Sequence, residues 1–216
     1  MIRRLPVFVQ ALLATLLLVL GGWLLFPDAP HPYKKEQLPW NSFRDEQGHV
    51  HALGLTIGKS TLADAMALYG RDVEVKLFAD AQLRPTSVEA YFPTIYIGSI
   101  KAPLILRLAV GPERKQALLK EAPGVRATPT GDKEALLSDF QARSLLHAPI
   151  EAITLVGRDL PEEALLKRFG PPPYRRKSPA DKTERWIYPD KGLEIIVDPE
   201  GREVFEWADF IGRTQL

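Results

Sequence analysis

The segment GLTIGKST, Gly54 to Thr61, comes nearest to a phosphate-binding loop. Such a loop needs a glycine, four spacer residues and then Gly-Lys-Ser/Thr, so that backbone N–H groups close around an anion. Only Leu55, Thr56 and Ile57 separate Gly54 from Gly58-Lys59-Ser60. The cradle is one residue short. The segment is therefore expected to be a turn entering a capped helix, and no nucleotide is assigned to it.

His49 and His51 come next. Two apart on a strand, they face the same side and could share a metal ion. Asp45 and Glu46 are the carboxylates nearby, and no third ligand is fixed by spacing. A solvated strand face is the competing reading, so the pair stays a weak metal candidate and no cofactor is assigned. His31 and His147 are isolated. No serine stands in a Gly-x-Ser-x-Gly elbow. The chain has no cysteine, which removes thiol catalysis, disulfides and Cys-based zinc sites. Glu162 and Glu163 fit a helix N-terminus, where negative charge is stabilised without any catalytic role. No catalytic residue is assigned, and the chain is expected not to be an enzyme.

Residues that could make contacts are easier to find. YRRKSPADK, Tyr174 to Lys182, reads as a basic loop carrying Arg175, Arg176 and Lys177. Alternation places Trp186 and Tyr188 on one face of their strand, and Phe205 and Trp207 on one face of theirs. Turned inward, these aromatics are core. Turned outward, they join the basic residues as an interaction surface.

The elements that must position these residues are set by periodicity and charge. The 216 residues hold 28 Lys and Arg against 27 Asp and Glu, a net charge of +1, which gives no basic excess for nucleic acid. Arg3 and Arg4 precede an uncharged run from Val7 to Phe26, close to the ~20 residues that cross a bilayer as a helix. Their position predicts a cytoplasmic N-terminus. A cleaved signal peptide is the rival, but its apolar core is shorter and ends in a small-x-small site, which LLFPDAPHP lacks. The expected order is a cytoplasmic N-terminus at 1–6, a transmembrane anchor at 7–26 and a proline-rich linker at 27–42. A first α+β unit at 43–111, connecting helices at 112–148 and a second α+β unit at 149–216 complete it. The linker reads as a semi-rigid stalk, with docking through Trp40 and Phe43 as the alternative.

The two units share a grammar. In the second, Ile150–Val156 reads as a strand. Asp159 is a helix cap with Glu162 three residues on, and Leu165, Leu166 and Phe169 form an apolar face before Gly170 and three prolines. TERWIY, LEIIVD and REVFEW then form a three-stranded meander, turned at PDKG and DPEG. In the first, Ser60 or Thr61 caps a helix with Leu62, Ala65, Met66 and Tyr69 on one face and Gly70 at its end. VEVKLF, SVEAYF and PLILRLAV then read as strands. Between the units, PERKQALLKEA and GDKEALLSDFQARSLLHA read as helices, joined by a loop at GVRATPTGD. The fold class is therefore α+β, an N-terminal transmembrane helix followed by two related helix-plus-antiparallel-meander units.

From Gly157 to Val204 the sequence resembles the SmpA/OmlA (BamE-like) family of small envelope lipoproteins. Phe169-Gly170-Pro171-Pro172 closes the short helix and Trp186-Ile187-Tyr188 begins the aromatic strand, both as in that family. The resemblance implies a helix-plus-meander fold and a non-enzymatic, protein-contacting role. Together these readings lead to a binding or scaffold protein of the bacterial cell envelope. It would sit in the inner membrane with its C-terminal domain in the periplasm, and its partners would be envelope proteins. A periplasmic enzyme of envelope metabolism and a lipid- or ligand-binding accessory protein, using a groove between the units, are the alternatives.

Overall fold

Alternation of buried with more exposed residues along the central strands sets the architecture. The computed structural model describes residues 33–157, 160–178, 182–198 and 202–210. Two 3-10 turns, Lys35–Gln37 and Pro39–Asn41, lead into three short strands: β1 (Phe43–Arg44), β2 (Val50–Ala52) and β3 (Leu55–Thr56). Helix α1 (Leu62–Tyr69) precedes a meander of β4 (Glu74–Ala79), β5 (Pro85–Ile97) and β6 (Ile100–Leu108). Then come α2 (Pro112–Lys120), a hairpin of β7 (Gly124–Ala127) and β8 (Lys133–Leu136), and α3 (Asp139–Arg143). The chain continues through β9 (Ile150–Val156), α4 (Glu162–Phe169) and β10 (Tyr174–Lys177). It finishes its described part with β11 (Glu184–Tyr188), β12 (Leu193–Val197) and β13 (Val204–Ala208).

Ten of these strands form one antiparallel sheet, in the order β10-β11-β12-β13-β9-β6-β5-β4-β8-β7. The other three form a small sheet in the order β1-β2-β3. The described protein is thus mostly β, with four short helices, and the expected α+β class is corrected. The two units do not stand as separate modules. Each meander ends on a strand, β6 or β13, that needs a further partner for its backbone, and both find it on β9. Ile150, Ile153 and Leu155 bury β9 in the middle of the sheet, the environment that an apolar strand seeks.

The connecting region is corrected as well. Lys133–Leu136, expected to be helical, is a strand paired with β4. Ala135 is buried there, while Leu136 and Phe140 are exposed, Phe140 by 78%. Helix propensity is a weak preference, and here the open edge of β4 offers a ladder that outcompetes it. GVRATPTGD, expected as a loop, supplies β7 and the hairpin turn.

The linker is not a free stalk throughout. From Lys34 onward it lies on the domain: Gly54 donates its N–H to the Glu36 carbonyl, and Lys191 Nζ reaches the carbonyls of Trp40 (3.1 Å) and Ser42 (3.2 Å). The expected anchor, Val7–Phe26, lies outside the described residues. Among the described residues no helix is long and apolar enough to cross a membrane, so they give the transmembrane part of the expected fold class no support. The expected Asp159 cap and most of the DPEG turn also lie outside the described residues. Helix α4 starts after Pro161 with no side-chain cap bond.

Helices α1, α2 and α4 pack on one face of the large sheet, over Leu77, Ala90, Phe92, Leu104, Leu106 and Phe205. The opposite face carries half-buried mixed residues. Its charges pair among themselves: Arg107 bridges Glu151 (3.2 Å) and Glu206 (3.3 Å), Lys76 bridges Glu74 and Glu134 (3.3 Å each), and Arg185 pairs with Glu194.

Candidate functional site

The GLTIGKST loop spends its backbone donors on the protein. Gly58 N–H binds the Ile150 carbonyl at 2.8 Å, and Lys59 and Ser60 N–H both bind the Thr56 carbonyl. Thr56 N–H goes to Ser60 Oγ at 2.9 Å. A phosphate would find no free cradle. The loop runs instead into the capping box that the sequence announces: Thr61 Oγ1 accepts from Asp64 N–H, and Asp64 Oδ2 accepts from Thr61 N–H at 2.8 Å. The Thr61 backbone bond holds the Asp64 carboxyl below its usual range.

His49 and His51 both turn to Asp45 instead of toward a shared point. His51 Nε2 lies 2.9 Å from Asp45 Oδ2, and His49 Nδ1 lies 3.3 Å from Asp45 Oδ1. Thr56 Oγ1 meets the other His51 nitrogen, Nδ1, at 3.0 Å, and Phe43 stacks on the His51 ring at 4.6 Å. The result is a hydroxyl–imidazole–carboxylate chain that crosses the small sheet from β3 through β2 to the turn after β1. Hydrogen bonding from His51, with the His49 backbone N–H behind it, brings the Asp45 carboxyl down to about 2. Among the described residues no group of three His, Cys, Asp or Glu is placed to hold a metal ion. The chain has the order of a nucleophile relay, yet the neighbouring N–H groups of Lys59 and Ser60 are occupied and offer no oxyanion site. Its evident effect is to tie three strands together.

The aromatic residues separate. Trp186, Tyr188, Phe205 and Trp207 are buried, so they are core and not an exposed contact surface. Phe205 stacks with Phe169 (5.6 Å) and Trp207 (6.1 Å), and Tyr188 lies 6.2 Å from Phe169 while donating its hydroxyl to the Gly170 carbonyl. Burial pushes the Tyr188 phenol up to about 12. The basic residues stay outside. Tyr174 to Lys177, expected in a loop, form edge strand β10, because the free edge of β11 pairs with them. All four are exposed. Arg175 is engaged: its guanidinium lies over the Trp186 ring at 4.2 Å and reaches Glu162 at 3.1 Å.

Among the described residues a site-like feature is a cavity of about 280 Å³ where the two meanders and the linker meet. The linker contributes Pro39 and Trp40, the tip of the β5–β6 hairpin contributes Ile100 and Ala102, and the second meander contributes Leu155, Phe169 and Phe205. Lys101 and Arg168 stand exposed at its rim. Arg168 stacks on Trp40 at 4.3 Å, and among the described residues neither cation has an ion pair. Gly157 packs tightly in the wall: a Cβ there would lie 3.0 Å from the Phe205 ring and 3.2 Å from Glu203 Oε2. Glu203 itself is only 4% exposed. Its Oε1 accepts the Leu160 N–H at 3.0 Å, whereas Oε2 has no partner among the described residues. Of the residues expected to form an interaction surface, Phe205 lines this cavity, and Trp40 and Phe169, read in the sequence as a linker anchor and a helix face, line it too. The lining residues belong to elements distant in the chain, and no local spacing announces their convergence.

No protein-family profile, no curated protein and no solved structure matches this chain.

Proposed function

We propose that this protein is a non-enzymatic binding or scaffold protein of the bacterial cell envelope, acting through protein contacts. The envelope assignment rests on the resemblance carried by Phe169-Gly170-Pro171-Pro172 and Trp186-Ile187-Tyr188. The contact role rests on the junction cavity. Whole small-molecule sites span roughly 300–1,000 Å³, and this cavity of about 280 Å³ falls short of that range. It suits one large apolar side chain, the anchor that carries much of the energy in protein interfaces. Lys101 and Arg168 favour acidic residues beside that anchor.

A photocrosslinking residue at Lys101, in intact cells, tests the reading. A discrete protein adduct is expected, lost when Ala102→Trp fills the cavity and when Arg168→Glu reverses the rim, with melting temperatures confirming that both variants fold. An adduct indifferent to both changes would remove the cavity from the contact. The unpartnered Glu203 oxygen beside the cavity favours a second reading, a small ligand that donates a hydrogen bond. Native mass spectrometry of the full chain showing a stoichiometric small molecule, absent from the Ala102→Trp variant, would select it.

A further inference from the structure

The two edges of the ten-stranded sheet differ in how their charges are matched. On β7, Arg126 stands directly opposite Glu134 of β8. On β10, Arg176 stands directly opposite Arg185 of β11. Like charges in cross-strand register are destabilising, and the acids that could relieve this pair are committed. Glu194 binds Arg185, while Glu162 and Glu184 both face Arg175. Among the described residues Arg176 has no acidic partner. Exposed cations on an edge do discourage strand pairing, and four residues reading Tyr-Arg-Arg-Lys would repel a second copy of β10. That defence does not need an arginine placed opposite another arginine, and it leaves a partner of opposite charge free to dock.

Alternation makes the vacancy specific. Tyr174 and Arg176 point to the face shared with Ile187 and Arg185, while Arg175 and Lys177 point to the face of Trp186 and Glu184. We propose that β10 receives an eleventh strand from an acidic, extended segment of a partner protein. Such a segment would place a carboxylate beside Arg176 and, two residues away on the same face, an apolar side chain beside Tyr174. Backbone hydrogen bonds along the open edge would supply affinity and the alternating side chains would supply selection. The proposal rests on the protein-contact role of this chain but uses a different surface from the junction cavity.

The test uses the full chain and an acetylated, amidated peptide repeating Glu-Thr-Val-Thr, which sets Glu and Val two apart on one face, with a Lys-Thr-Val-Thr peptide as the control. The acidic peptide should bind saturably and slow amide hydrogen exchange along β10, and the basic one should do neither. Arg176→Glu should weaken the acidic peptide at least tenfold while leaving the melting temperature unchanged or higher, since it removes a repulsion. Arg176→Lys should restore most of the binding. Lys101→Glu, at the junction cavity, should leave peptide binding intact, so failure here and failure of the cavity reading can be told apart. Acidic-peptide binding without protection of β10, or binding indifferent to Arg176→Glu, would overturn the proposal. So would attachment to phosphatidylglycerol vesicles through Arg176 with no peptide-dependent protection, which would make the edge a lipid contact.

Discussion

A methyl group placed on Gly192 would lie 2.9 Å from Cγ1 of Val50. Gly192 closes the turn between β11 and β12 in the left-handed region, with φ at +54°, and Val50 is the buried residue of β2 that packs beneath it. This contact locks the small sheet to the large one. Gly192→Ala incurs about 1–2 kcal/mol for the left-handed backbone and about 1–3 kcal/mol for overpacking. A loss of roughly 2–5 kcal/mol is expected in denaturant titrations. Val50→Ala opens space at the same point, so the double variant should be less destabilised than the sum of the singles, by about 1 kcal/mol or more. Strict additivity would show that the two residues do not press on each other.

Asp45 gives the fold a dependence on acid. Its folded carboxyl is brought from 3.8 to about 2, chiefly by His51. A depressed carboxyl stabilises the fold above its unfolded value, and that contribution fades as pH falls toward the folded one. Stability should therefore drop between about pH 4 and pH 2, and Asp45→Asn should flatten that part of the curve. Equal slopes in the two proteins, by thermal melting across the acid range, would show that the Asp45–His51 bond carries none of the effect.

Much of the local structure could be read in the sequence, because local structure has local causes. Thr61 and Asp64 announced a capping box, Leu62, Ala65, Met66 and Tyr69 a helix face, and alternation the strands β4 to β6 and β11 to β13. The larger arrangement depended on pairings with no signature in one segment. Nothing within Ile150–Val156 states that β6 will lie on one side and β13 on the other. Lys133–Leu136 has the composition of a helix and becomes a strand only because β4 is waiting. The junction cavity escaped for the same reason: Trp40, Ala102 and Phe169 are adjacent only after the sheet has closed.

Glu203 separates the worth of a hydrogen bond from the cost of a charge. One oxygen takes the Leu160 N–H and the other is buried without a partner among the described residues. Glu203→Gln keeps an acceptor for Leu160 and removes the carboxylate, so it is expected to be neutral or stabilising. Glu203→Leu leaves the Leu160 N–H unsatisfied and should lose about 1–3 kcal/mol. Chemical denaturation of the two variants checks the order. If Gln proved as damaging as Leu, the carboxylate itself would be needed, which would direct attention to a donor group bound beside the cavity.

Trp40 decides whether the linker belongs to the domain. Its ring meets Phe169 edge-on at 6.4 Å and carries the Arg168 guanidinium at 4.3 Å, and its carbonyl accepts Lys191 Nζ at 3.1 Å. The backbone bond survives substitution, so the side chain alone is tested. A fully buried Trp→Ala change costs about 3–5 kcal/mol. Trp40 is only half-buried, so about 2 kcal/mol is expected, together with faster tryptic cleavage after Lys34 and Lys35 as the turns around it loosen. Arg168→Ala removes only the cation–π contact and should cost about 0.5–1 kcal/mol, with those cleavage sites still protected. Equal protection in both variants would mean that the linker is held by its hydrogen bonds and not by the aromatic contact. The cavity would then keep its wall without Trp40, and the Lys101 adduct should persist in Trp40→Ala. If the aromatic contact does hold the linker, that adduct should disappear along with the protection.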